Sequence, residues 1–170
     1  MNILLTGSTG FVGHTVAAAL TRAGHTVRGG VSPRQRTVLP TQVPMDFAHD
    51  THPDVWLPRL VGIDAVVNAV GVLRDSSKRP IDAVHQHTPT ALFTACAQAG
   101  VKRVVHISAL GIEGSSTRYA STKRAADAHL LGLAAKGTLS AAVLRPSVVF
   151  GKGGDSSALF MNLARLPVAL

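Results

Sequence analysis

Cysteine is almost missing from this chain of 170 residues: Cys96 is the only one. No disulfide can form within the chain, and Cys96, in an alanine-rich stretch, reads as a buried small apolar residue. Aromatic residues make up 4%, with a single tryptophan and a single tyrosine. That leaves little material for the stacking platforms of single-stranded nucleic-acid binders. Acids are outnumbered, 9 against 17 lysines and arginines, for a net charge of +8. The bases stand singly or in pairs (Arg34 and Arg36, Lys102 and Arg103, Lys123 and Arg124). Such scatter argues against nucleic acid as a partner and for a small anionic ligand. No apolar run approaches the roughly 20 residues needed to cross a bilayer. Met1 leads almost at once into an apolar strand, which leaves no room for a signal peptide. The expected location is the cytoplasm or the inner face of its membrane. His14, His25, His49, His52, His85, His87, His106 and His129 lack zinc-ligand spacing, so no metal is expected. His85 and His87 read as solvated or capping residues and His129 as a surface residue. The Gly-x-Ser-x-Gly elbow of a serine hydrolase is absent, and Gly151-Lys152 lacks the spacing of a phosphate loop.

What the chain does have is concentrated in its first 31 residues. An apolar strand, Asn2 to Leu5, runs into Thr6-Gly7-Ser8-Thr9-Gly10-Phe11-Val12-Gly13. A helix with Val12, Val16, Ala19, Leu20 and Ala23 on one face follows, then a second strand from His25 to Val31. Spaced glycines between a strand and a helix are the context for dinucleotide binding. Gly7 permits the tight turn, Gly10 lets backbone approach a pyrophosphate, and Gly13 lets the helix pack closely. The helix N-terminus offers free N–H groups and partial positive charge to the phosphates.

The alternation continues. Strands are expected at Thr41 to Asp46, Ile63 to Val70, Arg103 to Ser108 and Leu139 to Leu144. Helices are expected at Asp54 to Leu60, Pro89 to Ala99 and Thr117 to Lys136, the last capped by Ser116. Gly100 ends the second of these in the manner of a C-cap. Apolar strands separated by helices imply a doubly wound α/β fold, a parallel sheet in the order 3-2-1-4-5-6. Residues 1–150 form the nucleotide-binding domain. Residues 151–170, with a helix from Ala158 to Arg165, read as the start of a substrate-binding region whose remainder is missing. The apolar stretch 159–170 then packs against that region or against a second copy of the chain.

Tyr119-Ala-Ser-Thr-Lys123 is the second chemical constellation. On a helix, residues four apart share a face, so phenol and ammonium are neighbours. Lysine beside the phenol favours phenolate and lowers its pKa toward working pH. Tyrosine can then exchange a proton with a substrate oxygen while a nicotinamide exchanges hydride. The segment after Val31 is Ser32-Pro33-Arg34-Gln35-Arg36, with no acid until Asp46. An acid at the end of the second strand would bind the ribose hydroxyls of NAD. Serine and arginine there suit a ribose phosphate, so NADP(H) is the expected cofactor, with NAD(H) as second choice.

Taken together these motifs resemble the short-chain dehydrogenase/reductase superfamily, extended or atypical branch. More narrowly, they are similar to bacterial relatives of the NAD(P)H-binding accessory subunit of respiratory complex I. The resemblance runs from Asn2 to about Asp155. It implies cofactor contacts from Gly7 to Gly13 and from Asp46 and Phe47 near the adenine. It adds Ala69, Val70 and Gly71 over the adenosine, and Pro146 and Val149 beside the nicotinamide, within Arg145-Pro146-Ser147-Val148-Val149-Phe150-Gly151. Gly100 to Gly111 carries the fifth-strand signature of the complex I-like group. Lys123 would touch both the nicotinamide ribose and the catalytic Tyr119. The resemblance implies an oxidoreductase, epimerase or dehydratase acting on a small molecule. The alternative it implies is a cofactor-binding scaffold with little turnover. Two departures matter. Ala109 stands where relatives place the serine or threonine that holds the substrate oxygen, so Ser108 is the candidate third catalytic residue only if the strand has turned there. His85 stands where many relatives have asparagine.

Overall fold

The computed structural model describes residues 1–33, 35, 38–151 and 161–162. Its frame is a parallel sheet built from the apolar runs: β1 (Asn2–Thr6), β2 (Thr26–Val31), β3 (Gln42–Pro44), β4 (Ala65–Asn68), β5 (Arg103–Ile107) and β6 (Ser140–Leu144). The order is β3-β2-β1-β4-β5-β6, as expected from right-handed crossovers. Leu4 pairs with Val66, and Val66 with Val104. Apart from β1, which gains Thr6, the strands are shorter than the expected runs, because chain ends of a parallel ladder bend away to start the next connection.

Side chains alternate across this sheet. Leu4, Val66 and Val104 face α2 (Thr88–Gln98) and α3 (Arg118–Ala135), together with Trp56 and Leu60. Cys96 is fully buried in that layer, and desolvation pushes its thiol up to about 12. Ile3, Leu5, Ala65 and Val67 face α1 (Phe11–Arg22). Here the expected face is rotated: Val16, Ala17 and Leu20 pack on the sheet, while Ala19 and Ala23 are exposed. The rotation is set by Gly13, the buried residue of α1. A Cβ at Gly13 would lie 2.0 Å from the Gly7 carbonyl oxygen.

Three connections depart from the sequence reading. The expected helix from Asp54 to Leu60 is two 3₁₀ turns, Pro53–Val55 and Leu57–Leu60. Pro58, in the middle of the expected helix, lacks the N–H that would donate to the Asp54 carbonyl. Between them Trp56 is fully buried, donates from Nε1 to the Asp50 carbonyl at 2.8 Å, and meets the Phe47 ring edge-on. The helix expected to begin at Pro89 is preceded by a π turn, Ala83–His87. The chain is already helical when it reaches Pro89, and the wider turn lies where the missing proline N–H interrupts the backbone ladder. The cap of α3 is Thr117, not Ser116: the Thr117 hydroxyl accepts from Ala120 N–H at 3.3 Å. No helix among the described residues is long and apolar enough to cross a membrane.

Candidate functional site

In an open parallel sheet the ligand crevice lies where strand order reverses, outside the carboxyl ends of the strands. That point is between β1 and β4. Gly7 turns the chain at φ +70° directly after β1, a backbone conformation that suits glycine. Gly10 precedes α1, and its N–H donates to the Gly7 carbonyl at 2.9 Å. Ser8 does not reach the crevice; its hydroxyl donates to the Gly30 carbonyl at 2.9 Å and ties the loop to β2. Gly29 leaves room for it, since a Cβ there would lie 2.7 Å from the Ser8 hydroxyl oxygen. Gly30 gives similar room to Met45. Neither glycine carries a local motif, so the sequence reading passed over both.

The crevice has two lobes. The first, about 390 Å³, is bordered by Gly7, Ser32, Asp46 and Phe47, among others. Asp46 is fixed by its own turn: Oδ1 accepts from Ala48 N–H at 3.0 Å and Oδ2 lies 3.1 Å from His49 Nδ1. The second, about 840 Å³, is bordered by Phe11, Val12, Tyr119, Lys123, Pro146 and Val149. Thr9, Gly10, Ala69, Val70 and Gly71 border both. Thus the sequence-derived cofactor residues converge, except Ser8 and Gly13, which build the loop from behind. Arg34 and the expected helix from Ala158 to Arg165 lie outside the described residues. So does the stretch 159–170, apart from Met161 and Asn162, both exposed.

Lys123 is buried, and its ammonium donates to the Ile107 carbonyl at 3.1 Å. Burial lowers its pKa to about 8, against a smaller opposing pull from Asp127. Tyr119 is half-buried, with its ring edge-on to His85 at 5.0 Å. The expected lowering of its pKa by lysine is not what this arrangement gives: desolvation raises the phenol above its usual value. Ser108 lies one residue past the end of β5 and borders the same lobe as Tyr119. Its hydroxyl donates to Asp127 Oδ2 at 2.9 Å.

Beneath the site runs a buried polar chain that spacing alone could not reveal. Thr6 donates to Asn68 Oδ1 at 2.6 Å, which orients the Asn68 amide so that it donates to His106 Nδ1 at 3.1 Å. The remaining ring proton of His106 therefore sits on Nε2, 3.6 Å from Asp127 Oδ1. Arg145 closes the chain on Asp127 Oδ2 through Nε and Nη2, at 3.1 and 3.0 Å. His85, expected to be solvated, is buried instead: the π turn aims it inward, and its Nε2 accepts from Val72 N–H at 3.0 Å. Desolvation, reinforced by Lys123, holds both His85 and His106 at about 3, hence neutral. His129 is half-buried beside Thr94, at 2.9 Å from its hydroxyl. No group of metal-ligand residues occurs among the described residues.

A model of the NAD dependent epimerase/dehydratase family matches residues 3–166. The chain is 27% identical over 172 residues to a ceramide reductase of Caulobacter vibrioides, covering 98% of this chain and 52% of that one. It is 26% identical to a UDP-glucose 4-epimerase of Vibrio cholerae, covering 97% of this chain and 56% of the relative. It spans, then, about half the length of these curated relatives. Among solved structures, MoeE5 in complex with UDP-glucose and NAD superposes with a TM-score of 0.72 at 25% identity. That match covers 97% of this chain and 60% of MoeE5.

Proposed function

The chain belongs to the NAD dependent epimerase/dehydratase family, and from that premise we propose that it binds a nicotinamide dinucleotide across the two lobes and uses Tyr119 for proton transfer to a small substrate. One observation carries the reading: Tyr119 and Lys123 border the same lobe as Thr9 and Gly10 of the glycine loop. Gly7 and Gly13 let the loop pack tightly on Ala69 and on its own backbone, and Thr9 and Gly10 of that loop face both lobes, which supports backbone contact with a diphosphate. A bound nicotinamide supplies or accepts the hydride. Tyr119 gives its phenolic proton to the oxygen of a substrate carbonyl, or takes one from an alcohol in the reverse direction. Lys123, cationic below about 8, holds a ribose hydroxyl in the same lobe. Ser108, the candidate third catalytic residue, borders that lobe too, with its hydroxyl engaged by Asp127. The relatives named above suggest UDP-sugars or a ceramide-type ketone as substrate classes. Ser32 in the first lobe, with Asp46 the only carboxylate bordering it among the described residues, supports NADP(H) over NAD(H).

Ala109 favours a second reading, the cofactor-binding scaffold suggested by the complex I-like motifs. It borders the tyrosine lobe and brings no hydroxyl to a substrate oxygen. Losing one such donor costs about 3 kcal/mol, a hundredfold or more in rate. Calorimetry with NADP and NAD, followed by turnover assays on Tyr119→Phe, separates the readings. The enzyme reading expects tighter NADP binding, and a variant that keeps nucleotide affinity within about twofold but loses turnover. Equal or tighter NAD binding removes the NADP preference. Unchanged turnover or in-cell function in Tyr119→Phe removes the catalytic role and leaves the scaffold.

A further inference from the structure

Between the Gly71 turn and the π turn, residues 73–80 bring three cations to the crevice. Arg74 borders the tyrosine lobe, Lys78 the first lobe, and Arg79 both. All three are exposed, and none has an ion pair or side-chain hydrogen bond among the described residues. The arginines that brace the fold differ: Arg59 pairs with Asp50, Arg118 with Asp75 and Asp82, and Arg145 with Asp127 and Glu113. Among the described residues the charged lining of the crevice is these three cations and Lys123 against one acid, Asp46. Asp46 is already engaged by His49 and Ala48. Among the described residues the crevice lining is therefore predominantly positive, and no carboxylate pairs with Arg79.

The segment that carries Arg79 is tied down. Ser76 and Arg79 form an antiparallel bridge, with Arg79 N–H donating to the Ser76 carbonyl at 3.0 Å. Asp75 Oδ1 accepts from Ile81 N–H at 2.9 Å, and Oδ2 lies 3.1 Å from Arg118 at the head of α3. A hairpin held at both ends positions its cation with less loss of freedom on binding than a loose loop would suffer. Thr9 and Gly10, at the start of α1, border both lobes as Arg79 does. A dinucleotide that spans two lobes carries its diphosphate where they meet.

We propose that Arg79 is the side-chain half of the diphosphate site, gripping it against the backbone N–H groups at the start of α1. The inference rests on the dinucleotide reading above and adds a residue that the glycine motif does not contain. The guanidinium fork matches two phosphate oxygens at once, and Lys78 extends the same positive edge toward the first lobe.

The test is calorimetry on the full chain with NAD and with ADP-ribose, which keeps the diphosphate and lacks the nicotinamide. Arg79→Gln should weaken both ligands alike, by about tenfold or more, the scale of a lost charge-assisted pair of hydrogen bonds. Its affinity should also fall less steeply with added salt. Arg79→Lys should recover part of the loss, since it restores charge without the fork. Asp75→Asn, which loosens the hairpin and leaves Arg79 in place, should weaken both ligands severalfold, whereas Arg22→Gln at the far end of α1 should not. If the wild-type chain binds NAD and Arg79→Gln binds it equally, with the same salt dependence, the grip is wrong and the dinucleotide reading stands. If the wild-type chain binds neither ligand, both fall together.

Discussion

Lys123 sits between two demands that its surroundings set against each other. It is buried, which disfavours its charge, and the Asp127 carboxylate attracts it, which favours it. The balance leaves the ammonium titrating at about 8, well below an ordinary lysine. Below that pH it is a cation facing the lobe, and above it a neutral amine that can no longer attract a ribose hydroxyl as strongly. Dinucleotide affinity in the wild-type chain should therefore weaken as pH rises from about 7 to 9, and in Lys123→Met it should be weaker but flat with pH. A variant with the same slope as wild type would place the titration elsewhere. Tyr119, Lys123 and the glycine loop are legible from sequence because each signal lies within a few residues. His85, Arg79 and Asp127 are not, because their meaning comes from partners far along the chain. Asp127 meets Ser108 across 19 residues and Arg145 across 18, and His85 meets Val72 across 13.

As an element, α3 carries chemistry on one stripe. Tyr119, Lys123 and Asp127 recur every fourth residue, so one face presents a phenol, an ammonium and a carboxylate in turn. The first two open onto the crevice, and the third reaches the ends of β5 and β6. Asp127 is 2% exposed and accepts from Ser108 and Arg145, so its loss strands donors from two strands at once. Asp127→Ala should cost about 1–3 kcal/mol, the range for leaving buried polar partners unsatisfied, because Arg145 is exposed and keeps Glu113. Urea denaturation measures this directly; a loss under about 1 kcal/mol would show that the chain beneath the site contributes little. Element order and sheet order could be read from apolar runs and glycines, whereas the π turn could not. Nothing local distinguishes a widened turn before Pro89 from a helix that simply begins there, and only the inward seat of His85 makes the difference matter.

For the whole molecule, two buried neutral histidines tie stability to acidity. His85 and His106 titrate at about 3 in the folded chain, against about 6.5 when unfolded. Between those values the unfolded chain binds protons that the folded chain refuses, so stability is complete above about 6.5 and declines as pH falls toward 3. Each group adds about 1.4 kcal/mol per pH unit, up to about 2.7 for the pair. The window from about 4 to 6.5 lies mostly above the carboxylate range and isolates the histidines. Urea midpoints should drop steadily through it, and His106→Gln should remove about half of the slope. A midpoint that does not move from pH 6.5 to 4.5 contradicts this. The sheet order has a different consequence, one of timing. Thr6 in β1 meets Asn68 in β4 across 62 residues, while β2 reaches the other edge of β1 far sooner in the chain. During synthesis at about 5–20 residues per second, the β4 side of β1 waits roughly 3–12 seconds for its partner. Through that interval the backbone of Ile3, Leu4 and Leu5 is an open apolar edge, and the nascent chain must be kept from pairing it with the wrong strand.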